Sequence, residues 1–297
     1  MKKSSLSFLI NPIYQTSKEE NVKQKTPGEN NKFIFIGIAY LFIAVFIFLP
    51  MLNLFFNAFE KGLIFFWNSI SHKDTISALL LNLTVVLFTI PLNLVFGILV
   101  SICITRFEFR GKTLLLTLVD IPFSVSPVIS GLIFILIFGL GGWLGERIES
   151  LGFQIIFATP GIIIATIFIT FPFIAREIIP VMSAGGEEEE QAAFILGANS
   201  IQNFYYVTFP KIKWGVLYGV ILCNARVMGE YGAVSIVSGH ITGLTDTLPL
   251  RVEKLYSEYQ TVAAFSVAVI LAILAFLTLL IKTYIEWKRN QVLEEWK

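Results

Sequence analysis

The feature that most limits what this chain can fold into is a set of long stretches without a single charged residue. Phe33 to Phe59, Thr75 to Thr105 and Gln260 to Ile281 each run free of Asp, Glu, Lys and Arg. A helix needs about 20 mostly apolar residues to cross a hydrocarbon layer about 30 Å thick, and a soluble core has no use for blocks this long. Composition points the same way. Of the 297 residues 55% are hydrophobic and 14% charged, with 28 Phe, against about 25% charged in soluble domains. The fold class expected is an all-α integral membrane protein.

Three further spans are expected with interruptions. Asp120, Pro122 and Pro127 break the third apolar window. That pattern predicts a short interfacial piece at Thr113 to Val119 and a span from about Pro122 to Gly142, with Pro122 in its first helical turn. The fourth span is expected from near Pro160 to about Ala175, and the fifth from Trp214 to Ser238, enclosing Arg226 and Glu230. Basic residues are retained on the cytoplasmic side. With the N-terminus inside, 16 Lys and Arg fall in inner segments and five in outer loops. Six spans with both termini cytoplasmic is the expected topology. Residues 1–32, with six Lys and three Glu, are expected to be a polar cytoplasmic tail, and 282–297 a second one.

The formal net charge is +1, so no surface for a polyanion is evident and nucleic acid is not an expected partner. Cys103 and Cys223 lie in apolar stretches and read as small buried hydrophobes. His72 and His240 fall in outer regions without a second ligand at metal-binding spacing, so no metal site is expected. Asp120 is expected to pair with a nearby Arg or cap a helix. Arg176 and Glu177 are expected to anchor the fourth span at its inner end. No Gly-x-x-x-x-Gly-Lys-Ser/Thr phosphate loop occurs in the sequence, so any ATP-driven step requires another polypeptide. An intramembrane enzyme would need paired aspartates, a His-Glu-x-x-His pair or a Ser with a base inside the spans, and none is present.

Between spans four and five, Ser183 to Lys213 form a connection long enough to be functional. Glu187 to Glu190 suit the start of a helix, whose N-terminal dipole they complement. Gly197 is placed to end that helix. Ser200 is expected to cap a second short helix, which Pro210 is expected to close.

These residues resemble the permease subunits of ATP-binding-cassette importers. The family signature is Glu-Ala-Ala, three residues, Gly, nine residues, then Ile-x-Leu-Pro. Here it reads Gln191-Ala192-Ala193, Gly197, then Val207-Thr208-Phe209-Pro210 with every spacing kept. Gln191, Val207 and Phe209 depart from it, two of them by apolar exchange and Gln191 by loss of a charge. The resemblance implies a type I importer permease fold over 75–281, with 183–213 as the loop that docks on a cytoplasmic ATPase dimer. It also implies that ATP and Mg²⁺ are bound by that partner and that this chain holds no cofactor. Asp120 to Gly131, Phe171 to Glu177, Asn224 to His240 and Thr245 to Glu253 are similar to sulfate/thiosulfate permeases of the CysW type. Molybdate and tungstate permeases share the Arg226-x-x-Gly229-Glu230-Tyr231-Gly232-Ala233 core, which by itself marks only an oxyanion class. The implied partners are a second, related permease of the CysT/CysU type, an extracytoplasmic sulfate-binding protein and the lipid bilayer of the cell inner membrane. Arg226, Glu230 and Asp120 are the candidate pathway residues, since a charge buried in a span is costly and normally faces a cavity or a partner. Arg226 lies four residues before Glu230, close enough to pair on one helix face. A purely structural bridge and an anion-lining role both fit that spacing.

Overall fold

The computed structural model describes residues 29–295, with side chains from 32 to 288, and every regular element among them is helical. Two compact units divide the chain, 1–53 and 54–297. In the first, α1 (Glu29–Ile43) runs into a π-helical turn (Ala44–Phe48), followed by the start of α2 (Leu49–Ala58). Most of the expected tail at 1–32 lies outside the described residues. The π turn has a local cause in Pro50, whose ring would crowd the carbonyl four residues back and which has no N–H to donate. Here the Leu49 N–H reaches back five residues to the Ala44 carbonyl. The same device recurs at Phe204–Thr208, two residues before Pro210, where Phe209 N–H bonds Phe204 O.

The second unit continues with α3 (Leu63–Ser71), α4 (Lys73–Arg106), α5 (Lys112–Ser124), α6 (Pro127–Phe138), α7 (Gly145–Ser150) and α8 (Thr159–Ala184). Then come α9 (Glu188–Ile195), α10 (Ser200–Asn203), the second π turn, α11 (Phe209–Met228), α12 (Gly232–Val237), α13 (Leu248–Ser257) and α14 (Thr261–Glu295). Among the described residues, four helices are long and apolar enough to span a membrane: Lys32–Ala58, α4, α8 and Thr261–Lys288 within α14. The α5–α6 pair qualifies as a fifth, bent by 108°. Helix α11 carries Lys211, Lys213 and Arg226 and falls outside that set.

Four expected boundaries differ. Pro122 lies in the last turn of α5, not at the start of a span, and Pro127 takes the first-turn position of α6. The residue before a proline is steered to an extended backbone, and Ser126 at φ −58°, ψ 136° makes the break there. Helix α8 continues nine residues beyond the expected end at Ala175, passing through Arg176. Its guanidinium pairs with Asp120 at 2.8 Å and lies over the Phe123 ring. The expected fifth span is two helices, since α11 stops at Met228 and α12 begins at Gly232. The tail expected from residue 282 is, as far as Glu295, a continuation of α14.

The core is built where α8 lies against both α4 and α11. Fully buried Ile174 of α8 sits between two glycines. A Cβ on Gly97 of α4 would come within 2.7 Å of Ile174 Cγ2, and one on Gly219 of α11 within 2.9 Å of its Cα. Small residues of this kind are how membrane helices approach closely. Across the seam the Asn93 side-chain amide donates to Thr170 Oγ1 at 2.7 Å, whereas Asn93 Oδ1 and Thr89 Oγ1 are buried without a hydrogen-bond partner. A second cluster joins Ala78, Leu248, Leu255 and Val267, and Ser266 Oγ donates to the Ala58 carbonyl.

Candidate functional site

The loop from 183 to 213 folds as a helix-turn-helix. Glu188, Glu189 and Glu190 occupy the first turn of α9, where carboxylates offset the helix dipole. Gly197 ends it at φ +91°, with its N–H on the Phe194 carbonyl and the Ala198 N–H on Ala193 O. A side chain there would be strained by its backbone conformation, although nothing lies within 4 Å. The next helix starts differently from expectation. Asn199, not Ser200, is its cap: Asn199 Oδ1 accepts from Gln202 N–H while Gln202 Oε1 accepts from Asn199 N–H, a reciprocal capping box. Pro210 does not close that helix either. The π turn absorbs the proline, and the chain passes straight into α11 with Pro210 in its first turn.

The signature residues gather on this unit. Gln191, Ala192 and Gly197 are exposed, Ala193 and Val207 half-buried, and Phe209 and Pro210 exposed at the entry to α11. Gln191 Nε2 donates to Glu187 Oε2 at 3.4 Å. Beside them stand large apolar side chains without cover, Ile195 at 86%, Leu196 at 88% and Ile201 at 79% exposed. A cleft of about 370 Å³ opens next to the turn, lined by Ala193, Leu196, Gly197, Gln202, Tyr206 and Val207 among others.

What holds the unit in place is Arg106, the last residue of α4, which the sequence reading used only as a topology marker. Its Nε and Nη2 donate to the two carboxylate oxygens of Glu190 at 2.7 and 2.9 Å, and its remaining bonds go to the carbonyls of Met182 and Gly186. Both side chains are close to fully buried, 12% and 10% exposed. Asn203 donates to the Glu190 carbonyl, and Lys211 pairs with Glu189 at 3.2 Å. Burial alone would push the Glu190 carboxyl up. The hydrogen bonds and charge of Arg106, with Thr208 and Lys211, more than offset this and hold it below the usual carboxylate range.

The second charged centre joins the ends of α11 and α12. Arg226 Nη1 lies 2.5 Å from Glu230 Oε2, so the pair expected from spacing forms even though the helix breaks between them. The break has a physical cause. Glu230 turns its other carboxylate oxygen to accept from the Ala233 N–H, capping α12, and Asn82 of α4 donates to the freed Met228 carbonyl. Glu230 is fully buried, whereas the Arg226 side chain remains 32% exposed. Asp120 is not drawn to this centre; it pairs with Arg176 instead. His72 Nδ1 accepts from Asp74 N–H at the start of α4, and His240 Nε2 lies 3.0 Å from the Ser235 carbonyl. No cluster of three metal-ligating side chains occurs among the described residues.

Of the residues that sequence reading passed over, Asn199 and Gln202 carried a usable signal, the Asn-x-x-Gln capping spacing. Arg106 carried none, because its partner lies 84 residues away.

The arrangement matches known proteins at several levels. Residues 62–291 match the family described as "Binding-protein-dependent transport system inner membrane component". The sulfate transport system permease protein CysW of Synechocystis is 47% identical over 255 residues, covering 86% of this chain and 92% of that protein. CysW of Escherichia coli K12 is 46% identical over 257 residues, covering 86% and 88%. The fold resembles a subunit of a bacterial alginate ABC transporter at TM-score 0.72 and 15% identity, covering 84% of this chain and 92% of that one. This multi-pass membrane protein belongs to the binding-protein-dependent transport system inner membrane components, in the CysW type of permease.

Proposed function

We propose that this chain is one of two membrane permease subunits of an ATP-driven importer of sulfate and thiosulfate. The observation that carries the reading is the braced loop at 183–213, whose signature spacing is intact and whose apolar knob is left uncovered, joined to 46–47% identity with sulfate permeases over most of the chain. Gln191, Ala192, Ala193, Gly197, Val207, Phe209 and Pro210 form or shape the surface for a cytoplasmic ATPase dimer. That dimer binds ATP and Mg²⁺ and performs the hydrolysis; this chain is not an enzyme. A related CysT-type permease completes the pathway, and an extracytoplasmic binding protein delivers the anion to the outer loops.

In this reading six spans cross the cell inner membrane with both ends cytoplasmic. The bent α5–α6 pair supplies the third span and α11 with α12 the fifth, a broken helix of the kind tolerated where backbone faces protein or a water-filled path. Arg226 is the cationic element of that path, Glu230 its fixed counter-ion, and Asp120 with Arg176 a pair near the inner boundary. Exposure of one-third of the Arg226 side chain supports this assignment.

The test is uptake of labelled sulfate in cells lacking the gene and in cells complemented with it. Deletion should abolish uptake in a strain without a second system, and excess thiosulfate should compete better than molybdate or tungstate. Unchanged uptake on deletion, or competition by molybdate alone, would overturn the assignment.

A further inference from the structure

The Arg106–Glu190 pair differs from an ordinary surface bridge in three respects that bear on coupling. It is bidentate, its partners are 84 residues apart, and both side chains are nearly buried although they lie at the edge of an exposed loop. Arg106 terminates α4, the helix that packs closely on α8 through Gly97 and Ile174. Its two other bonds reach Met182, near the end of α8, and Gly186, just beyond it. One guanidinium therefore ties α9 at once to α4 and to the α8 terminus. Asn203 of α10 grips the same residue from the opposite side through the Glu190 carbonyl. Alanine and glycine give the knob its shape, but they give it no hold on the spans.

We propose that Arg106 and Glu190 form the strut through which movement of the loop is passed to α4 and α8, so that Arg106 is a positioning residue for coupling and not for docking. The inference rests on the reading of the loop as the ATPase-docking surface. A lysine at 106 could keep the charge, but a point charge cannot make the planar fork to a carboxylate together with two carbonyl bonds. Without the fork α9 stays folded, since its glycine turn and the capping box after it are independent of Arg106. It then rocks against the spans instead of moving them.

The experiment uses the complete transporter, purified and reconstituted with its binding protein, and measures ATP hydrolysed against sulfate carried. Arg106→Lys and the near-isosteric Glu190→Gln should each raise the ATP cost per sulfate by about tenfold, within the usual range of coupling between sites, while the ATPase co-purifies at the normal level. Glu108→Gln, which removes an exposed pair with Lys112 two residues from Arg106, should leave the ratio unchanged. A purely structural role would lower the yield of complex without altering the ratio. An unaltered ratio in both variants overturns the strut while leaving docking intact, and loss of the ATPase on co-purification overturns it in favour of a docking role. Failure of the docking reading itself shows separately, as absence of a cross-link from the loop to the ATPase in the unmodified background.

Discussion

Among the described residues, two Arg–Glu pairs with a buried carboxylate are built on opposite principles. Arg226 and Glu230 are four residues apart, make one contact, and leave the arginine one-third exposed. Arg106 and Glu190 are distant in sequence, make two contacts, and leave neither charge open. The first is local. It caps a helix and leaves the arginine partly open. The second spans elements and uses both partners up. A site that must handle an anion benefits from a half-committed arginine, whereas a mechanical joint benefits from a saturated one. Identical chemistry thus yields a poised charge in one place and a fixed link in the other.

That contrast can be broken experimentally, beginning with the largest effect. Glu190→Ala strands the Arg106 guanidinium in a nearly closed site and should cost about 3–5 kcal/mol, the usual penalty for removing one partner of a buried pair. The readout is the thermal midpoint of the purified complex in detergent. Glu230→Ala should cost less, about 1–2 kcal/mol for a lost helix cap, because Arg226 can rehydrate. Its larger consequence should be on sulfate uptake, and a variant that carries sulfate normally would remove Arg226 and Glu230 from the pathway. Next comes Gly197→Val, which forces a β-branched residue to φ +91° at a cost on the order of 1–2 kcal/mol. Membrane insertion should survive and ATPase co-purification should fall, with Gly197→Asn closer to normal.

The smallest effect is the pH response. The Glu190 carboxyl is held low by Arg106, with Lys211 and Thr208 helping and Glu187 and Glu189 nearby. A depressed carboxylate stabilises the fold at pH above its unfolded value of about 4.3, and that stabilisation is lost as pH falls through the folded value. Stability of the loop should therefore be flat through neutral pH and decline only in acid, and Glu190→Gln should remove that part of the decline. Thermal midpoints measured from pH 7 down to about pH 2, through the range where a depressed carboxylate takes up its proton, would show it.

Much of this architecture is legible in the residues, and the parts that are not share a cause. Charge-free windows locate the Lys32–Ala58 helix, α4 and α14 because span length is fixed by the bilayer and leaves little choice of ends. The glycine at 197 is readable because its turn is a local backbone event. Prolines mislead. Pro122, Pro127 and Pro210 each announce a disturbance, but whether the chain bends, restarts or widens into a π turn depends on which neighbours receive the freed carbonyls. The break between α11 and α12 is hidden for a similar reason, since Asn82, which stabilises it, lies on another helix. Arg106 is the extreme case: nothing near it in the chain indicates that its partner is Glu190.

One measurement bears most directly on the claim that the loop at 183–213 meets the ATPase on the cytoplasmic side. Leu196→Cys, at the exposed tip of the knob, and Tyr259→Cys, equally exposed between α13 and α14, are each treated with a short thiol cross-linker in the intact transporter. Leu196→Cys should join to the ATPase subunit and Tyr259→Cys should not. A cross-link from Tyr259→Cys to the ATPase, with none from Leu196→Cys, would contradict both the docking surface and the topology on which it depends.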